Sequence, residues 1–217
     1  MLYIVSTPIG NLKDITLRAI EVLKSVDLIA CEDTRHTQIL LSHYQIKKPL
    51  TSFHSYNKVK SASRILELLK GNKSVALVSD SGTPGISDPG VYLIRKAQEE
   101  AISVTAIPGP TAFIVGLILS GLPTHRFVFE GFLPTKPGSR QKRLQELLKM
   151  DRTVVIYESP HRLVKLLEEI ASVDSQRLVV CMRELTKKFE EIKRDKAASL
   201  LSYFRASRPR GEFTIVF

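Results

Sequence analysis

The glycine signatures of nucleotide binding are missing from this sequence. No Gly-x-Gly-x-x-Gly occurs and none of the eleven glycines is followed by lysine, so neither a dinucleotide fingerprint nor a phosphate-binding P-loop is present. There is no His-Glu-x-x-His and no Gly-x-Ser-x-Gly, which removes the main support for metalloprotease and α/β-hydrolase chemistry. The two cysteines, Cys31 and Cys181, lie far apart with no second cysteine near either. Neither a disulfide framework nor a cysteine-based zinc site is supported, and no metal is expected. The longest apolar run, from Ala112 to Leu119, falls well short of the ~18 residues of a membrane span. The opening Met1-Leu-Tyr-Ile-Val-Ser6 carries neither a basic stretch nor a small-residue cleavage site, so no signal peptide and a cytoplasmic location are expected.

Positive charge is abundant. Thirty-two lysines and arginines stand against 22 acidic residues, a net charge of +10 in 217 residues. Up to Gly121 there are 13 basic and 10 acidic residues, and beyond it 19 and 12, so the excess rises from +3 to +7. Such an excess suits a polyanionic partner, of which nucleic acid is the commonest.

Short apolar runs alternate with amphipathic stretches through the first half. Leu2 to Ser6, Asp27 to Cys31, Pro49 to Phe53, Ser74 to Ser79 and Ser103 to Ile107 read as strands. Between them lie helices capped by Asp14 and Asn57, a helix from Thr37 to Tyr44, one from Val91 to Glu100, and the apolar Thr111 to Ser120. The alternation predicts an α/β fold with a mostly parallel sheet covered by helices. Gly121-Leu-Pro123 stops the last helix and marks the expected boundary between an α/β domain over 1–121 and a more basic α/β domain over 122–217. The second half reads as strands near 126–130, 153–157, 177–181 and 212–217, with helices near 139–150, 160–173 and 196–204 and a charged connection after Cys181.

The stretch Ser79-Asp-Ser-Gly-Thr-Pro-Gly-Ile-Ser-Asp-Pro-Gly90 spends three of the eleven glycines and two of the eleven prolines on one strand-to-helix corner. Ligands bind at the carboxyl ends of strands in open parallel sheets, so a site is expected there. Asp88 and Pro89 read as the cap and first residue of the following helix. Similar corners stand at Thr7-Pro-Ile-Gly-Asn11, Glu32-Asp-Thr-Arg35, Pro108-Gly-Pro-Thr-Ala112 and Glu158-Ser-Pro-His-Arg162.

Taken together, in this order and spacing, the five corners resemble the ribosomal RNA small-subunit methyltransferase I branch of the tetrapyrrole methylase superfamily. The resemblance continues through Gly131-Phe-Leu-Pro134 and Arg183-Glu-Leu-Thr-Lys187 and covers essentially the whole chain. It implies two α/β domains with S-adenosylmethionine in the cleft between them and a homodimer. It further implies methyl transfer to the 2′-hydroxyl of a cytidine in 16S rRNA of the small ribosomal subunit. Carried over residue by residue, Asp80, Gly82 and Thr83 would hold the cofactor from the central loop. Ile9, Gly10, Thr111, Ala112, Tyr157, Glu158, Leu185 and Thr186 would line it from the other corners. Ser6, Cys31 and Ser81 depart from the usual proline, alanine and alanine of the pattern, and many members of the family continue past the final strand with a helical C-terminal extension.

A ribose hydroxyl is a weak nucleophile until its proton leaves, so a base is wanted. Glu32, Asp33 and His54 are candidates because they stand at strand ends; His161 is a further one, and the residues select none of them. Arg35, Lys136, Arg140, Lys142, Arg143, Lys149 and Arg162 are candidates for holding RNA phosphates, with a second cluster at Arg183, Lys187, Lys188, Lys193 and Arg194. Two other readings are a related methylase of a small, tetrapyrrole-like molecule and a ribosome-binding factor without catalysis; the basic second half favours RNA over the small molecule.

Overall fold

Apolar residues in the first sheet come in nearly unbroken runs because both of its faces are covered. The computed structural model describes every residue from Met1 to Phe217, and the chain divides into two compact units, Met1–Thr111 and Ala112–Phe217. The first unit holds strands β1 (Leu2–Val5), β2 (Leu28–Cys31), β3 (Leu50–Ser52), β4 (Val75–Leu77) and β5 (Val104–Ile107). Between them run helices α1 (Leu17–Ser25), α2 (Thr34–His43), α3 (Lys58–Lys70) and α4 (Gly90–Glu99). The strands lie in the order β3-β2-β4-β1-β5, and every neighbouring pair is parallel.

Alternation along each strand sorts the core into two layers. Val5, Ile29, Cys31, Ala76 and Val78 pack with Ala19 and Leu23 of α1 and Leu40 and Leu41 of α2. Leu2, Ile4, Ala30, Val75 and Leu77 pack with Ala62, Ile65 and Leu69 of α3 and Leu93 and Ala97 of α4. The split follows from handedness. Crossovers from β1 to β2 and from β2 to β3 run one way along the sheet, those from β3 to β4 and from β4 to β5 run the other, and right-handed connections then place the two helix pairs on opposite faces. At adjacent β1 and β4 the chain leaves toward opposite faces, which makes their carboxyl ends the topological switch point of the sheet. Helix α1 starts later than the Asp14 cap expected from the sequence. Asp14 closes a 3₁₀ turn, and the cap is Thr16, whose hydroxyl accepts from the Ala19 N–H at 3.1 Å.

The second unit holds α5 (Ala112–Ser120), β6 (Phe127–Phe132), α6 (Pro137–Leu148), β7 (Thr153–Glu158), α7 (Pro160–Val173), β8 (Leu178–Arg183), β9 (Glu191–Lys196), α8 (Ala197–Ala206) and β10 (Phe213–Val216). Its sheet runs β6-β7-β10-β8-β9 and is mixed: β6 and β7 are parallel, and the remaining pairs are antiparallel. Val154, Ile156, Val179, Cys181, Phe213 and Ile215 face a core built from α6, α7 and α8. Strand β9 was not expected; it occupies the charged connection after Cys181, at the border of the sheet beside β8, where Glu-Ile-Lys-Arg-Asp-Lys keeps most of its side chains exposed and needs no apolar face.

Helix α5 belongs to this second unit, so the division falls before it and not at Gly121. The reason is a close approach. At Gly116 a Cβ would come within 2.6 Å of the Thr214 Cγ2 and 3.4 Å of the Met182 Cε, so the helix lies against the face of β10 and β8 that α6, α7 and α8 leave open. Gly116→Val should lower stability by about 2 kcal/mol through overpacking. Denaturant unfolding of the full chain reads this out, and an unchanged midpoint would show that the glycine is not required by that contact.

Candidate functional site

The two loops at the switch point are fastened to each other. Thr7 and Gly82 form an isolated antiparallel bridge, with the Thr7 N–H donating to Gly82 O at 2.9 Å and the Gly82 N–H to Thr7 O at 3.1 Å. The Thr7 hydroxyl donates to Ser79 O at 3.0 Å, and the Ser79 hydroxyl to Gly82 O at 3.0 Å. Gly82 has φ +84°, and a Cβ on it would lie 3.4 Å from Ile9 Cγ2 and 3.6 Å from Pro110 O. Only glycine takes that conformation without strain, and the missing side chain lets the Ile9 and Pro110 corners close against it. Beside the bridge a chain of hydroxyls joins three strand ends: Ser6 Oγ to Thr83 Oγ1 at 2.8 Å, and Thr83 Oγ1 to Thr111 Oγ1 at 2.7 Å.

A second fastening joins the β2 and β4 corners. The Asp33 N–H donates to Asp80 Oδ1 at 3.0 Å. Further along the loop, Asp88 Oδ1 accepts from the Gly85 N–H at 2.8 Å and the Gly90 N–H at 2.7 Å, so Asp88 caps α4 from one position earlier than expected, with Pro89 in the cap position. Burial raises the Asp88 carboxyl above its ordinary range, and these two donors work against it.

The three base candidates are unlike. Asp33 caps α2 through the Arg35 N–H at 2.8 Å and pairs with the Arg35 Nη2 at 2.9 Å. These bonds hold its carboxyl down to about 2, so it is a committed anion with little tendency to take a proton. Glu32 is raised, first by burial, then by the charges of Asp80 and Asp88, with His54 pulling the other way. His54 is anchored through its backbone N–H to Asn57 Oδ1 at 2.8 Å, and its Nδ1 is buried without a partner. Asn57 stands at the N-cap of α3 as expected, but its side chain ties the loop to Ser52 and makes no capping bond. His161 is exposed at the start of α7.

In the second unit, most of the expected site residues serve the packing. The Tyr157 hydroxyl accepts the Phe113 N–H at 3.0 Å, satisfying a donor in the first turn of α5, and burial pushes its pKa up to about 12. Its ring sits with Phe129 and Phe132. Glu158 is buried, with Arg140 Nη1 at 3.4 Å and Arg162 Nε at 3.2 Å. Burial raises its carboxyl, and the two guanidiniums pull it down. Leu185 is in the core, whereas Thr186 is left-handed, with φ +66° and a buried Oγ1 that has no partner.

Several of the phosphate-contact candidates need correction. Arg140 is only 3% exposed and is bound at 2.8 Å to Glu169 as well as to Glu158. Arg143 makes a two-pronged pair with Glu130, both arms at 2.7 Å, and a third bond to Glu146. Arg162 donates to the carbonyls of Leu133 and Pro134. Internal partners occupy these three guanidiniums, although only Arg140 is buried. Lys136 and Lys142 remain exposed, and so does Arg35 despite its pairing with Asp33.

The family described as Tetrapyrrole (Corrin/Porphyrin) Methylases matches residues 1–201. The chain belongs to that family. Among the relatives of this tetrapyrrole methylase, the ribosomal RNA small subunit methyltransferase I of Synechocystis sp. is 49% identical over 217 residues, covering all of this chain and 78% of the relative. The protein of the same name from Thermotoga maritima is 47% identical, covering 99% of this chain and 96% of the relative. The solved uroporphyrin-III-C-methyltransferase of Thermus thermophilus superposes with a TM-score of 0.70 at 19% identity, covering 99% of this chain and 93% of that one. That likeness establishes the fold.

Within the methylase's first unit, the structure brings Ile9, Asp80, Gly82, Thr83 and Thr111 together at the switch point, with Gly10 exposed on the loop beside them. Ala112 begins α5 in the other unit. Ser6 and Thr7 complete the hydroxyl network and were not expected as site residues; the signal was a hydroxyl residue at successive strand ends. Two outcomes follow from the charges. Arg140→Ala strands two acidic groups and should cost about 3–5 kcal/mol, measurable as a lower denaturant midpoint. Asp80→Asn should lower the Glu32 pKa while leaving it above its ordinary 4.5, because burial is the larger cause. Carboxyl-carbon NMR titration tests this, and an unmoved Glu32 would remove Asp80 from its surroundings.

Proposed function

We propose that this chain transfers a methyl group from S-adenosylmethionine to the 2′-hydroxyl of a cytidine in 16S rRNA of the small ribosomal subunit. The observation that carries the reading is 49% identity across its whole length to a relative named for methylation of small-subunit ribosomal RNA. A net charge of +10 supports a polyanionic substrate. The fit to the cofactor rests on the switch point. Gly82 sets the fold of the loop there, Asp80 has one carboxylate oxygen bound to the Asp33 N–H, and the Ser6, Thr83 and Thr111 hydroxyls supply further polar groups. When bound, S-adenosylmethionine supplies a sulfonium-linked methyl group as the electrophile.

Glu32 takes the proton of the ribose hydroxyl. Burial and two neighbouring carboxylates make it more basic than an ordinary glutamate, and a raised carboxyl is better matched to proton transfer near neutral pH than Asp33 at about 2. Lys136, Lys142 and Arg35 hold phosphates as exposed cations. The chain acts as a homodimer in the cytoplasm; Ile118 and Phe132, 66% and 55% exposed, belong to an apolar surface on α5 and β6 suited to a second copy.

Labelled S-adenosylmethionine incubated with the protein and small ribosomal subunits tests the reading. Label in 16S rRNA, lost in Glu32→Gln with cofactor affinity by calorimetry kept, is the expected result. Transfer only to a small tetrapyrrole acceptor, or subunit binding without transfer, would refute it. Transfer by Glu32→Gln at the wild-type rate would move the base elsewhere.

A further inference from the structure

The turn between β8 and β9 is held in a shape that its own residues disfavour. Glu184 and Thr186 are both left-handed, at φ +52° and +66°, although neither is glycine. Several bonds impose the shape. Glu184 Oε1 accepts from the Glu212 N–H at 2.9 Å and from Lys187 Nζ at 3.0 Å, while the Thr186 N–H donates to Glu190 Oε2 at 2.6 Å. Gly211, at φ +84°, completes it, since a Cβ there would stand 2.6 Å from Glu184 Oε1. Strained backbone that is fixed from several sides is a common mark of a binding segment.

The turn borders a cleft of about 300 Å³ lined by Arg183, Glu184, Phe189, Arg210 and Gly211. Phe189 is 64% exposed, and the Lys188 ammonium lies 5.7 Å from its ring centroid. Arg183 Nε is buried and has no hydrogen-bond partner, although its Nη1 reaches Glu191 at 3.5 Å. Arg210 is exposed on the rim. The carboxylate among the lining residues, Glu184, is already occupied by Lys187 and the Glu212 N–H, so the cleft offers an aromatic face, the exposed Arg210 guanidinium and, beside them, an Arg183 guanidinium held to Glu191 only at 3.5 Å.

We propose that this cleft is a single-nucleotide subsite for the RNA substrate, in which a base stacks on Phe189 and an adjoining phosphate is held by Arg183 and Arg210. An exposed ring beside guanidiniums matches the two parts of an unpaired nucleotide, a flat π-surface and a diffuse anion. Arg suits the second part because its planar fork meets phosphate oxygens in pairs. The subsite rests on the RNA-methyltransferase reading above and assigns it a recognition element within the second unit.

Full-length wild type, Phe189→Ala, Phe189→Tyr and Arg210→Ala are compared for methyl transfer to small ribosomal subunits and for S-adenosylmethionine affinity by calorimetry. Phe189→Ala should raise KM for the subunit on the order of tenfold, as loss of one stacked base does, with cofactor affinity unchanged and Phe189→Tyr close to wild type. Arg210→Ala should reduce the salt slope of subunit binding by about one. An unchanged KM in Phe189→Ala overturns the subsite while leaving the RNA reading intact, and so does weakened cofactor binding in that variant. Wild type that transfers no label to RNA overturns the reading and the subsite with it.

Discussion

Two strand ends that send the chain to opposite faces of a sheet leave a crevice, and a crevice lined by loops has no shape unless the loops are tied. Here the tie is the pair of backbone hydrogen bonds between Thr7 and Gly82. The Thr7 hydroxyl reinforces it by donating to Ser79 O, and the Ser79 hydroxyl by giving Gly82 O a second donor beside the Thr7 N–H. Since the bridge requires Gly82 at positive φ, the position of Thr83 and the hydroxyl chain to Ser6 and Thr111 depend on a residue that contributes no side chain. Asp80 is set by the same loop and by the Asp33 N–H, which carries the constraint across to the β2 corner. Preorganisation of this kind matters for a displacement whose rate depends largely on how the reacting groups are aligned.

The second unit uses charge differently from what its composition suggests. Arg140 and Arg143 tie α6 to Glu158 of β7, Glu169 of α7 and Glu130 of β6, Arg162 of α7 returns to Glu158, and their value lies in bracing the sheet rather than in attracting an anion. The free charge is carried by residues such as Lys136, Lys142 and Arg210 at the surface. Buried ion pairs are costly to desolvate and severe to break, so they specify the arrangement of the elements more than they add to net stability.

Much of this was legible in the residues. The parallel first sheet was readable because its strands are apolar runs bounded by glycine and proline, and the tied loop after β4 because Gly82, Gly85 and Gly90 are too many for a simple turn. Spacing could not tell which cations are spent, since Arg140 and Lys142 sit two apart on one helix and differ only in what lies beneath them. Nor could it separate Glu32 from Asp33: adjacent carboxylates look alike until one caps a helix and pairs with Arg35 while the other stays unpartnered among carboxylates. The boundary before α5 was hidden because Gly121-Leu-Pro123 looks like a hinge, whereas the decisive feature is the missing side chain at Gly116.

Strand β9 was invisible to pattern reading because it is charged along nearly its whole length, and that composition has a use. It forms one border of the second sheet, with a row of backbone donors and acceptors turned away from β8. An apolar strand in that place would invite a neighbouring molecule to extend the sheet, one copy after another. Glu191, Lys193, Arg194, Asp195 and Lys196 instead make each such addition costly to desolvate, so the border closes the sheet against open-ended polymerisation.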